Sequence, residues 1–276
     1  MSDNHPVLDR TSVGAIAELC RRGCDDPPAA DELDRSLFDP ARPAVVRGDP
    51  EVGVVATVVR EGRGHVRLLV VDPDHRGAGA GSTLLAAAEA DLAPRGPEVV
   101  VGADAPDHLW PGVPTGATAL HALLERRGYE RAGEICNMAV DLDRPRPPVD
   151  AERLGEADSD REEVAEWFGR HWPHWEDEGG RGAAQGTVVI TRDDEGISGV
   201  CAWDVNRAGW LGPMAVRPHG DRQGVGTVLL LTALDRMAEA GHRRATVAWL
   251  GPVAFYAKAA GAEISDVFVV YRKGAD

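Results

Sequence analysis

The chain has 276 residues, more than one ordinary domain needs and enough for two. Its 43% hydrophobic and 27% charged residues are the balance of a soluble globular protein, and no apolar run approaches the roughly 20 residues of a membrane-crossing helix. The formal net charge of −15 speaks against nucleic acid as the main partner, since a phosphate backbone needs a cationic surface, and favours cationic small molecules or amine-bearing peptides.

The opening residues, Met1 to Pro6, have neither the basic start nor the apolar stretch of a secretory signal, so a cytoplasmic location without a membrane partner is expected. Val13, Ile16, Ala17, Leu19 and Cys20 then recur at helical spacing behind Thr11 or Ser12. Strands are predicted at Val54–Val59 and Val66–Val71, a helix at about Ser82–Leu92, and a strand at Glu98–Val101. A short helix at Leu120–Arg127 leads through Gly128 and Tyr129 to a last strand. Asp143-Arg-Pro-Arg-Pro-Pro148 breaks regular structure. The order of elements then repeats, as in an internal duplication. Ser159 and Glu162 have capping-box spacing before Val164, Ala165, Trp167 and Phe168. Strands follow at Thr187–Thr191, Gly199–Trp203 and Trp210–Val216, then a helix at Thr227–Ala240, a strand at Ala245–Trp249, and a helix at Val253–Ala260 ending at Gly261. The reading is α/β: two tandem domains, 1–143 and 151–276, joined by a linker at 144–150, each a mixed sheet flanked by helices. Cys20, Cys24, Cys136 and Cys201 lack zinc-site spacing, so reduced thiols and no metal are expected.

Between strand and helix, each half carries a glycine-rich turn. The first is Val71-Asp-Pro-Asp-His-Arg-Gly-Ala-Gly-Ala-Gly81, and the second is Val216-Arg-Pro-His-Gly-Asp-Arg-Gln-Gly-Val-Gly226. Glycines let the backbone turn tightly, and the N–H groups and positive end of the following helix then face an anion such as a pyrophosphate. Arg76 adds a charge-assisted donor. A nucleotide-binding Gly-Lys-Ser/Thr is absent, and Gly77, Gly79 and Gly81 miss the dinucleotide register.

The pattern Val-x-Pro-x-x-Arg/Gln-x-x-Gly-x-Gly/Ala that both turns follow resembles the signature of the GNAT superfamily of N-acetyltransferases. Val71, Pro73, Arg76, Gly79 and Gly81 match in the first half; Val216, Pro218, Gly224 and Gly226 match in the second, where Asp221 stands at the Arg/Gln position. The resemblance implies that the turns grip acetyl-coenzyme A, the acyl donor, through Arg76, Gly77, Ala78, Gly79, Ala80 and Gly81 and through Asp221, Arg222, Gln223, Gly224, Val225, Gly226 and Thr227. It implies a splayed strand whose backbone pairs with the pantetheine arm, at Leu69 and Val71 and at Met214 and Val216. It further implies acetyl transfer to a primary amine of a small molecule or peptide, with a tyrosine protecting the leaving thiolate. Tyr256 is the candidate, one residue further from its glycine than usual; as a packing residue it would need only a partner for its hydroxyl. The first half has Leu124 at the family's usual tyrosine position and is expected to be degenerate. His171, His174, Glu176 and Asp204 are candidate bases, with Asp204 preferred because it ends a predicted central strand. The aromatic stretch from Phe168 to Trp175 and the acidic run Glu176-Asp-Glu178 would border the acceptor groove or form a packed loop. The alternatives are a non-enzymatic acyl-coenzyme A sensor and a mycothiol-synthase-like acetyltransferase. The sequence leaves the oligomeric state open.

Overall fold

The computed structural model describes residues 5–94, 98–149, 161–218, 224–249 and 251–274. The chain forms two compact units, Met1–Ile135 with Val267–Asp276, and Cys136–Asp266.

Unit 1 opens with α1 (Val13–Gly23) and α2 (Ala30–Phe38). Helix α1 buries Ile16, Ala17, Leu19 and Cys20, the predicted stripe. Helix α2 was not predicted; its Glu32 carboxylate accepts the Ala29 N–H at 2.8 Å, closing the first turn. Next come β1 (Val45–Asp49), β2 (Gly53–Arg60), β3 (Arg63–Val71), α3 (Ala80–Leu92), β4 (Glu98–Val101), β5 (Val113–Pro114) and α4 (Thr118–Arg126). Strand β6 (Glu130–Asp141) leaves the unit, and the last strand, β11 (Glu263–Gly274), completes it. Sheet order in unit 1 is β1-β2-β3-β4-β11, with β5 beside β11. Only β3 and β4 run parallel. Val46, Val54, Ala56, Leu68 and Val70 face α1 and α2, while Val55, Val66, Val101, Val269 and Tyr271 face α3 and α4. This alternation is what a sheet covered on both faces demands.

Unit 2 holds α5 (Arg161–His171), α6 (Glu176–Gln185), β7 (Val188–Asp193), β8 (Gly196–Trp203), β9 (Trp210–Val216), α7 (Val225–Glu239), β10 (Arg244–Val247) and α8 (Val253–Ala260). Sheet order is β6-β10-β9-β8-β7, with β9 and β10 parallel. Leu229, Leu230, Ala233, Leu234 and Met237 of α7 and Tyr256 of α8 meet one face of the sheet. Val164, Trp167 and Phe168 of α5 meet Ile190, Ile197, Val200 and Ala215 on the other.

The structure departs from sequence order at the last strands. Residues 136–141 close unit 2, where Met138 and Val140 join the core. Residues 267–274 close unit 1, where Val269 and Tyr271 do so. A strand is recruited through backbone bonds and alternating apolar side chains, and neither records which sheet it joins. The predicted linker 144–150 therefore follows a strand that already belongs to unit 2. Among the described residues, no helix is long and apolar enough to cross a membrane. The predicted capping serine, Ser159, lies outside the described residues.

Candidate active site and coenzyme cradles

Both units splay at the same step. In unit 1, β3 pairs with β4 only through Gly64, His65 and Val66. In unit 2, β9 pairs with β10 only through Trp210 and Leu211. Beyond those residues the two strands of each parallel pair part. Each strand leading to a cradle also carries a one-residue bulge, at Arg67 in β3 and within Gly212–Pro213 in β9. Backbone parity fixes which groups face the opening. The Asp72 N–H bonds Val52 O at 2.9 Å and the Arg217 N–H bonds Ser198 O at 2.8 Å, both across to the antiparallel neighbour. Val71 and Val216, one residue earlier, therefore turn their backbone toward the splay, and so do Leu69 and Met214.

The glycines stand where the turns need them. Gly77 and Gly79 have φ of 78° and 98°, and Gly224 has φ of 83°. Gly79 and Gly224 are the N-caps of α3 and α7, and neither helix has a side-chain cap. Their first-turn N–H groups therefore face outward, as an anion cradle requires. Ala78, Ala80, Gly81, Val225 and Thr227 lie in these turns and first helical turns. A Cβ on Gly226 would meet the Phe255 ring at 3.4 Å and Met214 Cε at 3.6 Å, so an apolar wall continues from the second cradle toward Tyr256. These features fit a coenzyme with an anionic head and a long apolar arm. Asp221, Arg222 and Gln223 lie outside the described residues.

Arg76 faces its own backbone: Nε donates to Val71 O at 3.2 Å and Nη2 to Gly23 O at 2.8 Å, at the C-terminal end of α1. Beside it, Asp72 is held below the usual carboxylate range by Arg22, at 2.6 Å, and by the Asp74 N–H.

Tyr256 is 8% exposed, and its ring meets Phe255 edge-on at 5.0 Å between centroids. Burial, with the nearby Cys201 adding to it, pushes its hydroxyl up to about 12. The group therefore stays protonated and able to donate. Asp204 lies at the other end of β9. Its Oδ1 accepts the Gly209 N–H at 2.6 Å, its Oδ2 meets His242 Nε2 at 2.8 Å, and its φ is 56°. It holds the β8–β9 turn, and the structure does not bring it to the splay. His171 ends α5, where burial and then the guanidinium groups of Arg170 and Arg217 lower its pKa, so its imidazole is neutral near pH 7. The His174 ring lies 4.6 Å from that of Trp175, tilted at 53°, and Glu176 folds over Gly169. The aromatic stretch ends α5, makes a short 3-10 turn at Pro173–Trp175 and leads into α6.

Two contacts escaped the sequence reading. The Trp172 indole N–H donates to Val216 O at 3.3 Å. The buried Asn137 Oδ1 accepts the Trp249 N–H at 2.9 Å, and Trp249 has φ of 46°. Asn137 thereby takes the bond that would have extended β10, and the strand leaves the sheet where the splay opens.

The two units differ beside the bulge. In unit 1 the segment after β4 packs inward: Asp104, Asp107, His108 and Leu109 are buried. Arg67, whose side chain is 1% exposed, meets Asp104 at 2.5 Å and Asp107 at 3.7 Å. Arg60 reaches Asp107 at 2.8 Å, and Ser36 Oγ donates to Asp107 O at 2.7 Å. In unit 2 the matching bulge residue is Gly212, and a Cβ there would meet none of the described residues within 4 Å. A cavity of about 470 Å³ in unit 1, lined by Arg42, Val45, Val59, Arg60 and Leu92 among others, lies at the opposite end of β2 from the cradle.

The family description "Acetyltransferase (GNAT) domain" matches residues 43–131, and "Acetyltransferase (GNAT) family" matches residues 136–262. No curated protein matches the chain. Among solved structures, a tandem GNAT protein from the clavulanic acid biosynthesis pathway is 17% identical with a TM-score of 0.71, covering 98% of both chains. A GCN5-related N-acetyltransferase from Sphaerobacter thermophilus is 23% identical with a TM-score of 0.67, covering 97% of this chain and 94% of the other. A glucosamine N-acetyltransferase region of a fungal multi-domain β-N-acetylglucosaminidase is 19% identical with a TM-score of 0.74; the match covers 97% of this chain and 38% of that larger one. These likenesses carry the fold. Two splayed sheets with a cradle each, and a family match over each cradle, make this chain a member of the GNAT acetyltransferase family with two GNAT domains in tandem.

Proposed function

We propose that the chain transfers an acetyl group from acetyl-coenzyme A to a primary amine of a small molecule or peptide, and that the transfer takes place in unit 2. The observation that carries this is the contrast at the bulge. Arg67 and its aspartates fill the acceptor side in unit 1, whereas none of the described residues fills the space beside Gly212.

The coenzyme supplies an activated acetyl thioester. The α7 N-terminus and the Gly224 turn hold its phosphates, and Met214 and Val216 offer backbone groups to its arm. Met214 and Phe255 exclude water from the thioester. As the amine nitrogen bonds to the acetyl carbon, the carbon–sulfur bond breaks and the Tyr256 hydroxyl gives its proton to the sulfur. The amine proton leaves through a base or water; His171, neutral at the end of α5, suits this better than Asp204. The charge of −15 draws a cationic acceptor toward the protein.

Purified protein given acetyl-coenzyme A and a panel of amines should release free coenzyme A thiol. Tyr256→Phe should lower kcat by on the order of 10²-fold while leaving acetyl-coenzyme A affinity in place. With the hydroxyl pushed up to about 12, the wild-type rate should show no alkaline loss from Tyr256 below about pH 11. Full activity in Tyr256→Phe would remove the tyrosine from the mechanism. Binding without turnover across the panel would favour a coenzyme sensor instead.

A further inference from the structure

We propose that Trp172 is a positioning residue of the unit 2 cradle and does for β9 what the cradle arginine does for β3. The inference rests on the coenzyme reading above.

In unit 1 the last carbonyl of β3, Val71 O, receives the Arg76 guanidinium at 3.2 Å, and the same side chain anchors to Gly23 O at 2.8 Å. The motif residue thus ties the end of the strand to the body of the unit. In unit 2 the motif position holds Asp221. An ionised carboxylate has no proton to offer a carbonyl. Yet the matching carbonyl, Val216 O, does receive a side-chain donor: the Trp172 indole N–H at 3.3 Å, from the junction of α5 and α6. The bond is kept and the residue that makes it has changed.

The geometry suits a holding role. The backbone of Val216 turns away from β8 toward the splay, as parity from the Arg217–Ser198 bond requires. A carbonyl oxygen has two lone pairs; the indole takes one and fixes the peptide plane, leaving the other for an amide N–H of the arm. Trp172 is itself held. Its backbone N–H donates to Phe168 O at 2.6 Å, and its ring lies 5.7 Å from Trp175 at 33°. Aromatic packing supplies the anchor that Gly23 O supplies in unit 1.

The test is calorimetric titration with acetyl-coenzyme A in a Gly79→Asp parent, so that the second cradle alone reports. Trp172→Phe keeps a ring and loses the N–H, and its Kd should rise about three- to tenfold. Adding Asp221→Arg to Trp172→Phe should bring Kd back to within about twofold of the parent; the recovery is read as the gain beyond what Asp221→Arg gives in the parent itself, since a cation in place of a carboxylate helps both backgrounds by charge. Should Trp172→Phe fail to fold, Trp172→Gln and Trp172→Met carry the comparison; they are similar in size, and only Gln donates, so Gln should bind more tightly. Unchanged or tighter binding in Trp172→Phe, or no recovery with Asp221→Arg, overturns the proposal. No heat from the parent at all overturns the coenzyme reading and this inference with it; heat that Trp172→Phe leaves unchanged overturns this inference alone.

Discussion

The two bulges, Arg67 in β3 and Gly212 in β9, stand the same number of residues before their cradles and do opposite things. At Arg67 a long cation turns into the unit and is sealed by Asp104 and Asp107. At Gly212 there is no side chain, and none of the described residues lies within 4 Å of where a Cβ would stand. The segments after the parallel partner strand agree with this. In unit 1, residues 102–117 separate β4 from α4, and much of that segment is buried. In unit 2, residues 248–252 separate β10 from α8, and Gly251 and Pro252 are exposed. The exit from the parallel strand is held differently as well. The Ala103 N–H bonds Pro111 O at 2.8 Å within the buried segment, whereas the Trp249 N–H bonds the Asn137 side chain at 2.9 Å. The same splay can therefore be kept as a frame while the space beside its bulge is filled in one unit and left without a described neighbour in the other. A cradle alone does not tell which.

The largest expected effect breaks the fill. Arg67→Met removes a cation from a buried network and leaves Asp104 and Asp107 with fewer partners. Breaking a buried pair costs about 3–5 kcal/mol, and the lower end applies because Arg60 and Arg42 remain beside the aspartates. Urea unfolding should show unit 1 destabilised by about 3 kcal/mol. A loss under about 1 kcal/mol would mean that the network does not hold the segment in place.

The next effect separates the cradles. Gly79 and Gly224 both have positive φ, at 98° and 83°, and both cap a helix. An aspartate at either position adds strain and sets a carboxylate where phosphate would lie. Gly224→Asp should cut acetyl transfer by about 100-fold or more, and Gly79→Asp should cut it far less while removing binding at the first cradle. Thiol release and calorimetric stoichiometry together decide this. Equal losses of turnover from the two variants would overturn the division of labour.

How much of this could be read from sequence depends on where the physical cause is recorded. The cradles are local: a valine, a proline and spaced glycines lie within eleven positions, and the first turn and the Gly224 cap of the second stand at the strand-to-helix steps expected. Strand β9 and helix α8 match their predicted spans because alternation and a closing glycine are local too. Helix α6 was missed because Glu-Asp-Glu-Gly-Gly-Arg-Gly-Ala-Ala-Gln reads as loop. Its glycines serve close packing instead: a Cβ on Gly179 would lie 2.1 Å from Phe168 Cδ2. Strand β10 stops before Trp249 because Asn137, 112 positions away, takes its next hydrogen bond. The exchanged last strands, the network of Arg67 with Asp104 and Asp107, and the bond from Trp172 to Val216 all depend on residues far apart in sequence. Periodicity and motif carry no record of them.

Asp204 is the smallest and last test, and it concerns a residue chosen by its place at the end of a strand. That place is the end of β8, in the turn to β9 and away from the cradle, where the carboxylate oxygens meet the Gly209 N–H at 2.6 Å and His242 Nε2 at 2.8 Å. A base must stand within reach of the amine, and this carboxylate instead holds the β8–β9 turn at a φ of 56°. Asp204→Asn keeps an oxygen that can accept from Gly209 and gives up the charge facing His242. The expected loss is about 1 kcal/mol in stability, with turnover within about twofold of wild type. Denaturant unfolding and kcat measured on the same preparation separate the two effects. A fall in kcat of about 100-fold at unchanged stability would return Asp204 to the reaction, and with it the acceptor site to the far end of β9.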